Sequence, residues 1–123
     1  MSKFVIRSVP SGIKFDLKAT NGQIIVTSEV YDSKNAFLNG IASVKKNAAA
    51  AKIENQTAGG YQKCTHPKFV MYTDKAGQFR FRLTARNGRI IATSENYTTK
   101  AACENCISSV QMNAPDAEIE ELW

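Results

Sequence analysis

The stretch Asn21–Ala36, NGQIIVTSEVYDSKNA, returns at Asn87–Ala102 as NGRIIATSENYTTKAA. Laid over each other without a gap, residues 15–56 and 81–122 share 22 identities in 42 positions. Upstream, KFVI at Lys3 matches KFVM at Lys68 once one residue is inserted near Gly77. The chain is therefore two copies of one unit, 3–56 and 68–122. Between them lies a linker at 57–67, punctuated by Gly59-Gly60 and His66-Pro67.

Within a copy, Ile13, Phe15, Leu17 and Ala19 alternate with polar residues, the period-two pattern of a half-buried strand. Phe79, Phe81, Leu83 and Ala85 repeat it. Asn21-Gly22 and Asn87-Gly88 follow at once, a pair that suits the two positive-φ positions of a type I′ hairpin turn. That turn sets Thr20 opposite Gln23, turns Ile24, Val26 and Ser28 to the Phe15 face, and places Lys14 beside Glu29 and Arg80 beside Glu95. Asp32-Ser33 and Thr98-Thr99 then offer helix N-caps. Phe37, Ile41, Val44 and Ala48 fall on one helical face, as do Cys103, Ile107, Val110 and Ala114. Asn47 or Pro115 marks the exit, and KIEN or EIEE reads as a last strand that carries Ile53 or Ile119 inward. Each copy is thus β-β-β-α-β.

A unit of about 55 residues leaves much of its apolar surface wet when alone. The two copies should share one core, with 1–123 a single domain. The expected fold class is α+β: two β3-α-β units with pseudo-twofold symmetry form one shared sheet, or barrel-like layer, covered by two helices.

Asn21-Gly22, Ile24-Ile25, Ser28-Glu29, Tyr31, Lys34, Ile41, Ser43-Val44 and Asn47-Ala48 recur at the second copy's equivalent positions. Gly40 against Cys106 reads as a neutral departure. This pattern resembles the YegP-like family, also called DUF1508 or UPF0339, over nearly the whole chain. The resemblance implies a tandem β3-α-β fold, in which single-copy members pair as dimers to build what this chain builds alone. It implies no activity.

Composition bounds the function. The chain has 123 residues, 43% of them hydrophobic, no charged-then-apolar start and no apolar run near the roughly 18 residues of a membrane span. A cytoplasmic protein without membrane contact is expected, and a monomer, because the repeats pair within one chain. Three cysteines without a leader read as reduced thiols. The net charge of +5 is uneven: 61–100 holds eight basic residues against Asp74 and Glu95, and 101–123 holds five acids and no Lys or Arg. Such polarity permits an anionic partner.

Three groups of residues are candidate sites. The repeated polar set comprises Ser28, Glu29, Tyr31 and Lys34 with Ser94, Glu95, Tyr97 and Lys100, extended by Asn39, Ser43, Asn47, Asn105, Ser109 and Asn113. It contains a base and proton donors, and two copies of it can line a symmetric groove. Its structural explanation is a core-facing Ser28, a Glu29–Lys14 pair and a Tyr31 packed at the strand-to-helix corner. The second candidate is Arg80, Arg82, Arg86 and Arg89, projecting from the outer face of the second hairpin as anion contacts, with Arg86 facing Arg89 across the turn. The third joins Cys103 and Cys106 to Cys64 and His66 as a Cys3His zinc set. Against it, Cys103 takes Phe37's place on the buried face, and the first copy has no equivalent ligands.

No phosphate-cradling glycine loop, HExxH or nucleophile elbow occurs. The resulting expectation is a non-catalytic binding or interaction module without a cofactor. Nucleic-acid binding through the basic hairpin is the alternative, and an enzyme on the Ser-Glu-Tyr-Lys set is the third reading.

Overall fold

In the computed structural model, residues 2–57 and 59–121 are described. Leu122, the expected end of the second copy, and Ala58 of the linker lie outside them. Strands β1 (Lys3–Val9), β2 (Gly12–Lys18) and β3 (Ile24–Thr27) lead to helix α1 (Lys34–Ala50) and strand β4 (Lys52–Asn55). The second copy gives β5 (Lys68–Thr73), β6 (Phe79–Thr84), β7 (Ile90–Ser94), α2 (Lys100–Asn113) and β8 (Glu118–Glu121), with a 3-10 turn at Ala114–Asp116. Ser33 and Thr99 cap the helices as their sequence suggests, their hydroxyls accepting from the Ala36 and Ala102 amides.

Among the described residues, eight strands form one mixed sheet in the order β4-β5-β6-β7-β3-β2-β1-β8. The order reads the same from either edge when each strand is replaced by its counterpart. It is an open sheet with β4 and β8 as its ends, so the barrel-like alternative does not apply. Each copy gives its last strand away: β4 runs parallel to β5, and β8 runs parallel to β1. The helices cross over too, since α1 packs on β5, β6 and β7 as well as on β2. One core results. Phe4, Phe15, Phe37, Phe69 and Phe81 are all fully buried in it, and each such side chain contributes about 1.5–3 kcal/mol.

The inserted residue falls where the alignment puts it. Val9 pairs with Gly12 across a two-residue turn, whereas Asp74 closes on Gln78 across three residues that include Gly77.

The Asn-Gly turns differ from expectation. No residue other than glycine has positive φ among the described residues, and Gly22 and Gly88 each adopt φ 85°. The Gly22 amide donates to the Ala19 carbonyl and the Ala19 amide to Gln23, so the loop holds three residues, and Ala19 rather than Thr20 faces Gln23. The Asn21 side chain accepts the Gln23 amide, holding asparagine outside the left-handed region and leaving that region to glycine. A bulge beside Ile25 then restores the register, so Leu17 pairs with Val26 and Asp16 with Thr27 as predicted. The bulge costs one prediction: Ile25 is buried in place of Ile24, and Ile91 in place of Ile90.

A further irregularity follows, because the Ser28 amide bonds Phe15 while Tyr31 bridges Ile13. Glu29 therefore does not meet Lys14, and Arg80 donates instead to the Ser94 carbonyl at 3.1 Å. Ile53 and Ile119 are each 44% exposed, because β4 and β8 are the sheet edges.

Candidate functional site in the groove between the repeats

The helix-bearing side of the sheet contains a cavity of about 620 Å3 built from both copies. One wall is the segment after β3, carrying Glu29, Tyr31 and Asp32, and a second is the first half of α1, carrying Asn39, Gly40 and Ser43. The facing wall is the β6–β7 hairpin, with Asn87, Arg89 and Ile90. A smaller cavity of about 380 Å3 shares Asn39, Ser43 and Asn87 and adds Lys46 and Arg86.

Local chemistry explains why the groove is open. The Tyr31 ring stacks on Phe15 with centroids 5.9 Å apart, which sends its hydroxyl across the first turns of α1. A β-carbon at position 40 would clash with the hydroxyl end of that ring, so any residue larger than glycine there displaces Tyr31. In the second copy the residue at this place is Cys106, and its Sγ receives the Tyr97 hydroxyl at 2.9 Å. Gly40 against Cys106 is thus not a neutral difference: one tyrosine is tied to its helix and the other stands in a groove. Burial raises the Tyr31 pKa, Glu29 raises it further and Arg89 opposes them, so all three groups lie within electrostatic reach.

The repeated polar residues divide. Ser28 and Ser94 are buried, each accepting from a backbone amide (Phe15, Phe81) at 2.9 Å and donating to the next residue's carbonyl (Glu29, Glu95) at 2.7 Å. Asn47 lies in the last turn of α1 and Asn113 ends α2 just before Pro115, each donating to the serine one turn earlier, Ser43 or Ser109. Lys34 approaches Glu121 at 3.9 Å, an exposed pair across the sheet edge. Lys100 opens α2. Glu29, Tyr31, Asn39 and Ser43 are left to line the groove.

The four arginines do not share a face. Arg80 and Arg82 lie on the sheet surface away from the helices, where Arg82 sits 4.3 Å from the Tyr72 ring centroid. The counterpart of Arg82 is Asp16, 3% exposed and held by Arg7 at 2.8 Å and by Thr27 at 2.9 Å. Arg86 and Arg89 line the two cavities on the helix side. They do not oppose each other, because the three-residue loop sets Arg89 against Ala85.

The zinc set is dispersed. Cys103 and Cys106 are buried beneath α2, while the Cys64 amide binds Glu54 and His66 Nδ1 lies 2.8 Å from Thr84 Oγ1. Among the described residues no group of three or more His, Cys, Asp or Glu side chains is placed to hold a metal. Burial, then its neighbour Cys106, pushes the Cys103 thiol up to about 11, and burial raises Cys106, the reverse of a reactive Cys-x-x-Cys pair.

The model of a domain of unknown function, DUF1508, matches residues 12–55 and 74–121. The chain belongs to the DUF1508 family. UPF0339 proteins from Stutzerimonas stutzeri (38% identical, over 89% of this chain and 85% of that one) and Mannheimia succiniciproducens (41%, 88% and 82%) are similar to it. A UPF0339 protein from Treponema denticola is 53% identical over 55 residues, 45% of this chain and 95% of that one, the span of a single repeat. The solution NMR structure of Escherichia coli yegP, a protein of unknown function, matches with a TM-score of 0.81 at 30% identity, over 98% of this chain and 92% of that one. A UPF0339 protein from Shewanella oneidensis gives a TM-score of 0.79 at 31% identity, over 98% and 91%. Among the described residues, no helix is long and apolar enough to cross a membrane.

In this DUF1508 chain, sequence reading missed Gly40, Asp32 and Asn87 as groove residues. The usable signal was Gly40, a mid-helix glycine where the second copy has cysteine.

Proposed function

We propose that this protein is a non-catalytic binding module, built from two exchanged β3-α-β units about a pseudo-twofold axis, whose ligand site is the groove between α1 and the β6–β7 hairpin. The observation that carries this reading is the cavity itself. At about 620 Å3 it falls within the usual size of small-molecule sites, and polar groups from both units converge on it. A monomer suffices for it, since both walls come from one chain. The side chains that nucleophilic catalysis would use are otherwise engaged: the repeated serines hold the backbone, and the helix thiols stay protonated.

The test is an amide-resolved NMR titration of the full chain with mixtures of small metabolites of different charge classes. Saturable shifts confined to Tyr31, Asn39, Asn87 and Arg89 and their neighbours support the groove. Shifts elsewhere, or none with any class, overturn it.

A second reading, nucleic-acid binding, has one observation in its favour. Tyr72 places an aromatic ring among cations on the open sheet face. Because Arg82 and Arg86 lie on opposite faces, fluorescence anisotropy with labelled RNA and DNA separates the surfaces. Binding that survives physiological salt and falls with Arg82→Glu but not Arg86→Glu supports the sheet face.

A further inference from the structure

The groove carries charges of both signs on opposite walls, and they do not neutralise each other. Ion pairs among the described residues join Lys3 to Glu120, Arg7 to Asp16, Lys34 to Glu121 and Lys68 to Glu54. Glu29 and Asp32 on one wall and Arg89 on the other are in none of them. The gap between Glu29 and Arg89 therefore exceeds the reach of a direct contact, although the Tyr31 hydroxyl in the same groove feels both. That hydroxyl has no protein hydrogen-bond partner among the described residues, whereas its counterpart on Tyr97 is donated to Cys106. Beside these groups, Val30 and Ile90 give the cavity an exposed apolar surface.

We infer that the groove takes a small zwitterion, a compound with a carboxylate and an ammonium on one short skeleton, the carboxylate on Arg89 and the Tyr31 hydroxyl and the ammonium on Glu29. This deepens the binding reading above and rests on it. A simple anion meets two carboxylates in this groove and a simple cation meets Arg89, so each forfeits part of what it gains. A zwitterion satisfies both walls at once, and its side group rests on Val30 and Ile90. Arginine presents a fork that matches a carboxylate in two parallel hydrogen bonds. The second copy cannot do the same, because its counterpart of Arg89 is Gln23 and that of Gly40 is Cys106. One ligand per chain follows.

The probes are the free L-amino acids, each with its N-acetyl and carboxamide derivatives, titrated by calorimetry and amide-resolved NMR against the full chain. At least one amino acid should saturate the groove with one-to-one stoichiometry. N-acetylation and amidation should each weaken binding at least tenfold, as should Arg89→Gln and Glu29→Gln. Gly40→Cys, which forces the Tyr31 ring to shift, should abolish binding, with an unchanged melting midpoint as the check that the fold is kept.

An N-acetyl derivative that binds as well as the free amino acid overturns the zwitterion while leaving groove binding intact. So does saturation by simple carboxylates or phosphates alone. If no probe of any class shifts the groove amides, both readings fall.

Discussion

Thr27 lies directly opposite Thr93 in the sheet, and these two residues occupy the same position of the two repeats. There a repeat meets its own image. The seam is short: beyond this pair only Val26 and Ser94 are matched between β3 and β7, with Thr93 Oγ1 reaching the Thr27 carbonyl at 3.5 Å. The halves are held chiefly by exchanged strands and crossing helices. A fragment of residues 1–56 should therefore fold only as a dimer, with a melting midpoint that rises with concentration. Sedimentation equilibrium checks this, and a folded monomer would show that exchange is dispensable.

Ser28 and Ser94 are predicted to be structural. Ser28→Ala strands the buried Phe15 amide, and Ser94→Ala does so for Phe81. Each should cost about 1–3 kcal/mol in urea unfolding and leave ligand affinity unchanged. A loss of affinity without loss of stability would return these serines to the site.

The Glu54–Lys68 pair sets an acid limit. Glu54 is 2% exposed, bonded to Lys68 Nζ at 2.8 Å and to the Cys64 amide at 2.8 Å. The Lys68 ammonium, first, and Gln56 lower its carboxyl to about 2. Its folded value lies below its unfolded one, so its contribution is complete above about pH 4.5 and is lost as pH falls through about 2. Chemical denaturation between these limits should show a steeper loss in wild type than in Glu54→Gln. Removing the carboxylate leaves Lys68 without its charge partner and should cost roughly 3–5 kcal/mol at neutral pH.

The cysteines should differ in reactivity. Cys64 is half-buried in the linker, while Cys103 and Cys106 are buried, with Cys103 pushed up to about 11. Iodoacetamide at neutral pH should label Cys64 first and the helix pair only on unfolding, as read by peptide mass spectrometry. Equal labelling of all three would contradict the buried, protonated assignment.

The repeat made the element order, both helix caps, the inserted residue near Gly77 and the central register legible from sequence. Two errors in the hairpin compensated: the loop has one residue more than expected, and the bulge at Ile25 takes it back. Local residue chemistry favours glycine in the left-handed position but does not decide how many residues a loop contains. The strand exchange was invisible for a related reason. A parallel partner is chosen by where the chain can reach, not by alternation along one strand, so Ile53 and Ile119 do face the side of Phe69 and Phe4 as expected but stay half exposed on edges that the pattern did not show. Half of the groove was legible, in Glu29, Tyr31, Asn39 and Ser43. The other half needed the fold, because Arg89 joins them only when the second copy's hairpin closes over the first copy's helix.

The exchange of β4 and β8 also orders events in time. β1 leaves the ribosome well before β8, the strand that covers its outer edge. That edge disappears only once the last strand of the second copy has been made. Until then the nascent chain exposes a strand edge to any neighbouring chain that offers one, including a second nascent copy carrying the same β4. The lysine and arginine that punctuate β1 at Lys3 and Arg7 place repelling charge on that edge during the wait.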